Sequence, residues 1–230
     1  MGNTRRELIT GGAVAAGLIS AAQQVRAAFS EQPDHVTIDG YDDAKADIET
    51  YQPLLDLSNL EVRPNRQYAW RARSEEYGAD WYCYWTFYTD QQGIDEADSH
   101  LPDREPVYVA VSDGAVDRVV YSTWHYAAET DDDPSQYDST HPRLQVIAPW
   151  HGHQPSESGG EFVTLDDLSG VYGDWLANGW GVDRRSVVDP PHAEDRGNWW
   201  PESQQRDHKL AVWFHELTGG WVPDTFRLDT

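Results

Sequence analysis

A chain of 230 residues is long enough to bury a sizeable core within one domain of ordinary size. Its 40 acidic side chains face only 17 basic ones, and the resulting net charge of -23 repels phosphate backbones and excludes nucleic acid as a partner. A single cysteine, Cys83, excludes an internal disulfide. Only Lys45 and Lys209 are lysines, and the acids are spread along the whole chain rather than blocked. That pattern fits a salt-adapted protein, in which carboxylates hold water and cations while salt screens their repulsion.

The N-terminus reads as an address. Thr4-Arg5-Arg6-Glu7-Leu8-Ile9 resembles a twin-arginine signal, followed by a Gly/Ala-rich apolar run from Leu8 to Ala22 and a small-residue cleavage pattern at Val25-Arg26-Ala27. The apolar run is short for a membrane span. Residues 1–28 are therefore expected to be a signal, and residues 29–230 a single domain that is exported to the cell surface or secreted.

From Phe29 to about Asn65 the chain is polar and acidic, with one helical piece around Tyr41–Tyr51. Gln67–Arg73 reads as a first strand with Tyr68 and Trp70 on one face. Trp81–Tyr88 is strand by aromatic content, with Cys83 inside it as a small buried hydrophobe. An acidic loop follows to Pro102. Val107, Val109 and Val111 then alternate with Tyr108 and Ala110, and Ser112-Asp113-Gly114-Ala115 is a hairpin signal leading into a return strand, Val116–Trp124. Glu129–Thr140 reads as an acidic loop and Leu144–Ala148 as another strand. Thr164-Leu165-Asp166-Asp167 has the chemistry of a helix start, with an end expected near Asn178-Gly179. Ser186–Arg206 reads as loop and Lys209–His215 as a last strand. Together these predict a mainly β protein, an antiparallel β-sandwich with a few peripheral helices.

The most informative stretch is Ser99-His100-Leu101-Pro102-Asp103-Arg104-Glu105, between the aromatic and the Val-rich strands. Asp103 and Glu105 are two apart, so an extended backbone sends both carboxylates to one face. The hairpin then brings the start of one strand to the end of its partner, placing His125 near Glu105. Carboxylates plus imidazole at a strand edge suit a divalent cation, with a solvated acidic loop as the alternative. His151 and His153 project alike if the backbone stays extended, as a metal pair or as strand-end hydrogen-bonding groups. Trp150, Trp199 and Trp200 fall in loops, where rings stack on sugars, insert at a membrane surface or staple the loop to the sheet.

H-x-x-D-x-E in this setting resembles the G-H-R-H-D-W-E heptapeptide of the necrosis- and ethylene-inducing-like proteins, and the wider group of vacuolar-sorting-like domains. The resemblance runs from about Trp81 to His153, close to a third of the chain, and includes Trp85–Asp90, Tyr121-Ser122-Thr123-Trp124-His125 and the strand from His141 to His153. It implies a metal held by Asp90, His100, Asp103 and Glu105, with His125 as a further ligand nearby. Apart from the resemblance, His151, His153 and Trp150 stand as candidate ligand-binding residues. Ser99, Leu101, Pro102 and Arg104 replace the heptapeptide's Gly, Arg, second His and Trp, so plant-cell lysis does not follow. The oxygen-rich set favours Mg or Ca, with Mn or Zn admitted by the imidazoles. The resemblance implies a polar lipid headgroup or a glycan as partner. Two rival readings stay open: a metal-dependent hydrolase of an ester or phosphodiester, with His125 or Glu105 as base, and a structural component of a surface or virion.

Overall fold

The computed structural model describes residues 32–91, 103–124, 127–168 and 184–196. The signal at 1–28, His100, His125, the pair Trp199-Trp200 and the strand expected at 209–215 lie outside the described residues.

The chain builds a mainly β fold of two facing sheets. In chain order the strands are β1 (Thr37–Gly40), β2 (Leu54–Asp56), β3 (Arg66–Arg73), β4 (Asp80–Tyr88), β5 (Asp103–Ser112), β6 (Ala115–Trp124), β7 (Ala127–Asp131), β8 (Gln136–Tyr137), β9 (His141–Ile147), β10 (Gly152–Pro155) and β11 (Leu165–Asp167). Helix α1 (Tyr41–Thr50) follows β1 directly, and α2 (Arg184–Val188) and α3 (Pro190–Arg196) lie near the end of the described chain. The larger sheet runs β1-β3-β4-β5-β6-β7, and the smaller one β10-β9-β2. Pairing is antiparallel except at two edges, where β11 runs parallel to β3 and β2 parallel to β9.

Parity along β4 and β5 explains the architecture. Tyr82, Tyr84, Val107, Val109 and Tyr121 meet Leu144, Val146 and Leu55 between the two sheets, joined by Ile48 of α1. The opposite face of the large sheet carries Trp70, Trp81, Cys83, Trp85 and Tyr108, and Val187, Val188 and Ala193 of α2 and α3 cover it. The central strands are thus buried on both faces. That is why Trp81–Tyr88 reads as one continuous apolar run instead of an alternation. Each fully buried Val contributes on the order of 1.5 kcal/mol or more by removal of its surface from water. Cys83 has no exposed surface, and burial holds its thiol well above its usual range, consistent with an inert core side chain.

The β5–β6 hairpin closes over two residues, with Ser112 paired to Ala115. Asp113 and Gly114 both adopt positive φ, at 53° and 78°. A type I′ geometry of this kind matches the strand twist and favours Asp-Gly.

Three sequence expectations are corrected. Leu165–Asp167 is a strand, not a helix start: Thr164 lends its carbonyl to Gln67 N–H at 2.8 Å, and Leu165 to Asp167 pair with Gln67 to Ala69. A free sheet edge outbid a capping pattern. The acidic run after Glu129 is partly strand, since β7 and β8 pair there with β6 and β9. The stretch expected as loop from Ser186 holds α2 and α3, whose apolar residues close the Trp-rich face.

Candidate functional site

Tyr88 ends β4 and stands opposite Asp103, which begins β5; Thr86 stands opposite Glu105. By alternation Asp103 and Glu105 share the face of Val107 and Val109, toward the smaller sheet. Both are buried, with 0% and 1% of their surface exposed. Two carboxylates at that depth are expensive unless protons, donors or a cation compensate them.

The smaller sheet supplies part of the compensation. Between β9 and β10 the chain turns through Ala148–His151, with a cis bond before Pro149 and the His151 N–H donating to Ile147 O at 2.9 Å. His151 itself sits at φ 57°, a left-handed conformation costly for a residue with a Cβ. The backbone is therefore not extended at His151, so the condition under which His151 and His153 would project alike is not met. Two contacts hold the ring inward. Its Nδ1–H donates to Asp103 Oδ2 at 2.7 Å, and its face stacks on Tyr88 with centroids 3.8 Å apart and planes 5° from parallel. Asp103 Oδ1 accepts the Arg104 backbone N–H at 2.7 Å.

His153, on β10, is fully buried. Its Nδ1 lies 3.1 Å from Ser122 Oγ on β6, and its Nε2 has no hydrogen-bond partner among the described residues. Burial, above all, pushes its pKa down to about 4, with His151 adding to the shift and Asp103 opposing it. The ring is therefore neutral at pH 7. Burial also raises the Tyr88 hydroxyl well above its ordinary range, and the negative charges of Asp103 and Glu105 push the same way. Arg104, between the two acids, projects to the other face with its guanidinium 5.3 Å from the Phe87 ring. Burial lowers its pKa to about 10 against the opposing pull of Asp103.

The structure thus gathers Asp103, His151 and His153 with Tyr88 and Ser122 at one end of the sandwich, where Glu105 shares the face of Asp103. Asp90 is half-buried just beyond β4, where its Oδ2 accepts the Thr89 hydroxyl at 2.9 Å. Trp150 is half-buried in the β9–β10 turn. Among the described residues no group of three or more His, Cys, Asp or Glu side chains is placed to hold a metal ion. Sequence reasoning passed over Tyr88 as a site residue. Its position two residues before Asp90, on the face of Tyr84, was the available signal.

No protein-family model matches the sequence, and no curated protein does. Solved structures are similar, three of them as follows. Necrosis and Ethylene inducing Protein 2 from the causal agent of cocoa's Witches Broom disease is 17% identical, with 67% of this chain and 91% of that chain covered at a TM-score of 0.47. NLPPya in complex with glucosamine is 17% identical over 59% of this chain and 76% of its own, at a TM-score of 0.42. NLPPya in complex with mannosamine is likewise 17% identical, over 59% and 75%, at 0.42.

Proposed function

We propose that this protein is an exported binding protein in which a divalent cation, Mg or Ca, sits against Asp103 and Glu105 and organises a surface for a glycan or another polar headgroup. The observation that carries the reading is the pair of buried carboxylates on one face of β5, set beside two buried imidazoles. Asp103 offers hard oxygen donors, and its bond to His151 fixes its orientation in the way an outer-shell partner fixes a ligand. The orphaned Nε2 of His153 supports the same reading. When Nδ1–H donates to the Ser122 hydroxyl, the lone pair is left on Nε2, where it can accept a hydrogen bond from a water held by the ion or ligate Mn or Zn directly. Asp90, His100 and His125 are the further side chains proposed to complete the set. The ion would supply a fixed positive charge with exchangeable positions for the hydroxyls of a sugar.

The test is elemental analysis of the purified protein beside Glu105→Gln and Asp103→Asn, with circular dichroism to confirm folding. One equivalent of Mg or Ca in the wild type, lost from both folded variants, is the expected result. Undiminished metal in both, or none in any, would remove the cation from the proposal. A glycan-binding screen with and without chelator then tests the ligand, and binding that ignores the chelator would separate the two halves of the reading.

A further inference from the structure

A second cleft lies far from this cluster. His141 opens β9, whereas the carboxylate–imidazole cluster follows its end at Ile147, about 20 Å away along extended chain. The cleft has a volume of about 280 Å³ and is walled by Tyr41, Glu49, His141 and Phe162 over a floor at Gln52. Hydrogen bonds fix the floor and the His141 wall. His141 donates Nδ1–H to the Gln52 carbonyl at 2.9 Å, and the Gln52 amide donates to Val163 O at 2.6 Å and to Gln67 Oε1 at 3.1 Å.

Its surface chemistry is unusual for a water-facing site. Among the described residues, the exposed large hydrophobic side chains are Tyr137 and Phe162, at 41% and 46%. Both contact the same imidazole: Phe162 lies 4.7 Å from the His141 ring and Tyr137 6.2 Å. Among the described residues the cleft lining contains no lysine or arginine, and its carboxylate, Glu49, accepts the Tyr41 hydroxyl at 2.8 Å. The chain already lays its own cations on two of the rings. Lys45 Nζ is 5.5 Å from the Tyr41 centroid and 3.7 Å from Glu49, and the Arg143 guanidinium is 5.8 Å from the Tyr137 centroid. Lys45 thus marks the Tyr41–Glu49 pair as a place that accepts an ammonium group.

From this geometry we propose that the cleft binds an organic ammonium cation, its apolar substituents against Phe162, His141 and Tyr41 and its charge facing Glu49. Aromatic faces attract a weakly hydrated cation through their quadrupoles, and the attraction grows when water is displaced. A hydrated metal ion gains little from such rings. A neutral apolar ligand would gain nothing from Glu49 or from the overall charge of -23.

The test uses the full chain and isothermal titration at fixed ionic strength with choline chloride, beside the neutral isostere in which carbon replaces the quaternary nitrogen. Choline is expected to bind at least about tenfold more tightly than the isostere. Phe162→Ala and Glu49→Gln should each weaken it by about tenfold, while Lys45→Ala, which removes the competing ammonium, should tighten it about threefold. All three positions are exposed enough for the fold to survive, which unchanged circular dichroism checks. Equal binding of choline and its isostere, no binding of either, or indifference to Phe162→Ala would overturn the assignment. Chelator should leave choline binding unchanged, which keeps this outcome separate from the fate of the proposed cation centre.

Discussion

Lowering the pH should destabilise this protein through one imidazole. His153 is fully buried and neutral, with its pKa pushed from 6.5 to about 4. In the unfolded chain the same ring takes up a proton near pH 6.5. A depressed histidine pKa means that the folded state binds fewer protons over this interval. Its contribution is therefore intact above pH 6.5, falls as the pH drops through the window, and levels off below about 4. A separation of roughly two and a half units corresponds to about 3 kcal/mol. The assay is urea unfolding followed by tryptophan fluorescence, in chelator so that metal release adds no pH dependence of its own. Wild type and His153→Gln are compared at each pH. Carboxylates that titrate equally in both proteins cancel in the difference, which should shrink by about 3 kcal/mol between neutral pH and about pH 4. A difference that stays constant across the window would refute the claim that His153 is held neutral by burial.

Three further outcomes follow from particular contacts. Asp39 accepts Arg71 Nε at 3.0 Å and Arg73 Nε at 2.7 Å, and although burial pushes its pKa up, the two guanidiniums outweigh that and hold the carboxyl below its usual range. Asp39→Asn should lose about 1–2 kcal/mol at neutral pH, and because a lowered carboxyl pKa stabilises only above it, the loss should vanish as the pH falls through the folded-state value. At Gly160 an added Cβ would lie 2.7 Å from the backbone carbonyl of Leu55, so Gly160→Ala should cost about 1–3 kcal/mol and lower the melting temperature, whereas Gly159→Ala, with nothing within 4 Å, should not. Tyr84 is fully buried and donates its hydroxyl to Ile48 O at 2.7 Å, so Tyr84→Phe should cost about 1–2 kcal/mol by stranding that carbonyl, measurable by denaturant midpoint.

Much of the β framework was legible in the sequence because its signals are local. Aromatic and β-branched runs mark β4 and β5, Asp113-Gly114 marks the hairpin, and α1 follows from a short polar helical stretch. Parity alone put Asp103 and Glu105 on one face of one strand. What lies outside local reach was decided by packing. Leu165–Asp167 carries a helix-capping pattern, yet the open edge of β3 takes it as a parallel strand. The segment from Ser186 looks like loop because it is interrupted by Pro190-Pro191, but its apolar residues cover the tryptophan face. The candidate centre shows the same division. A periodicity of two can say that His151 and His153 are near one another; it cannot say that His151 turns through a left-handed conformation to reach Asp103, 48 residues earlier, while His153 reaches Ser122. Those meetings depend on how the smaller sheet lies across the larger one, and that placement is set by the sum of apolar contacts between the sheets rather than by any residue pattern within either.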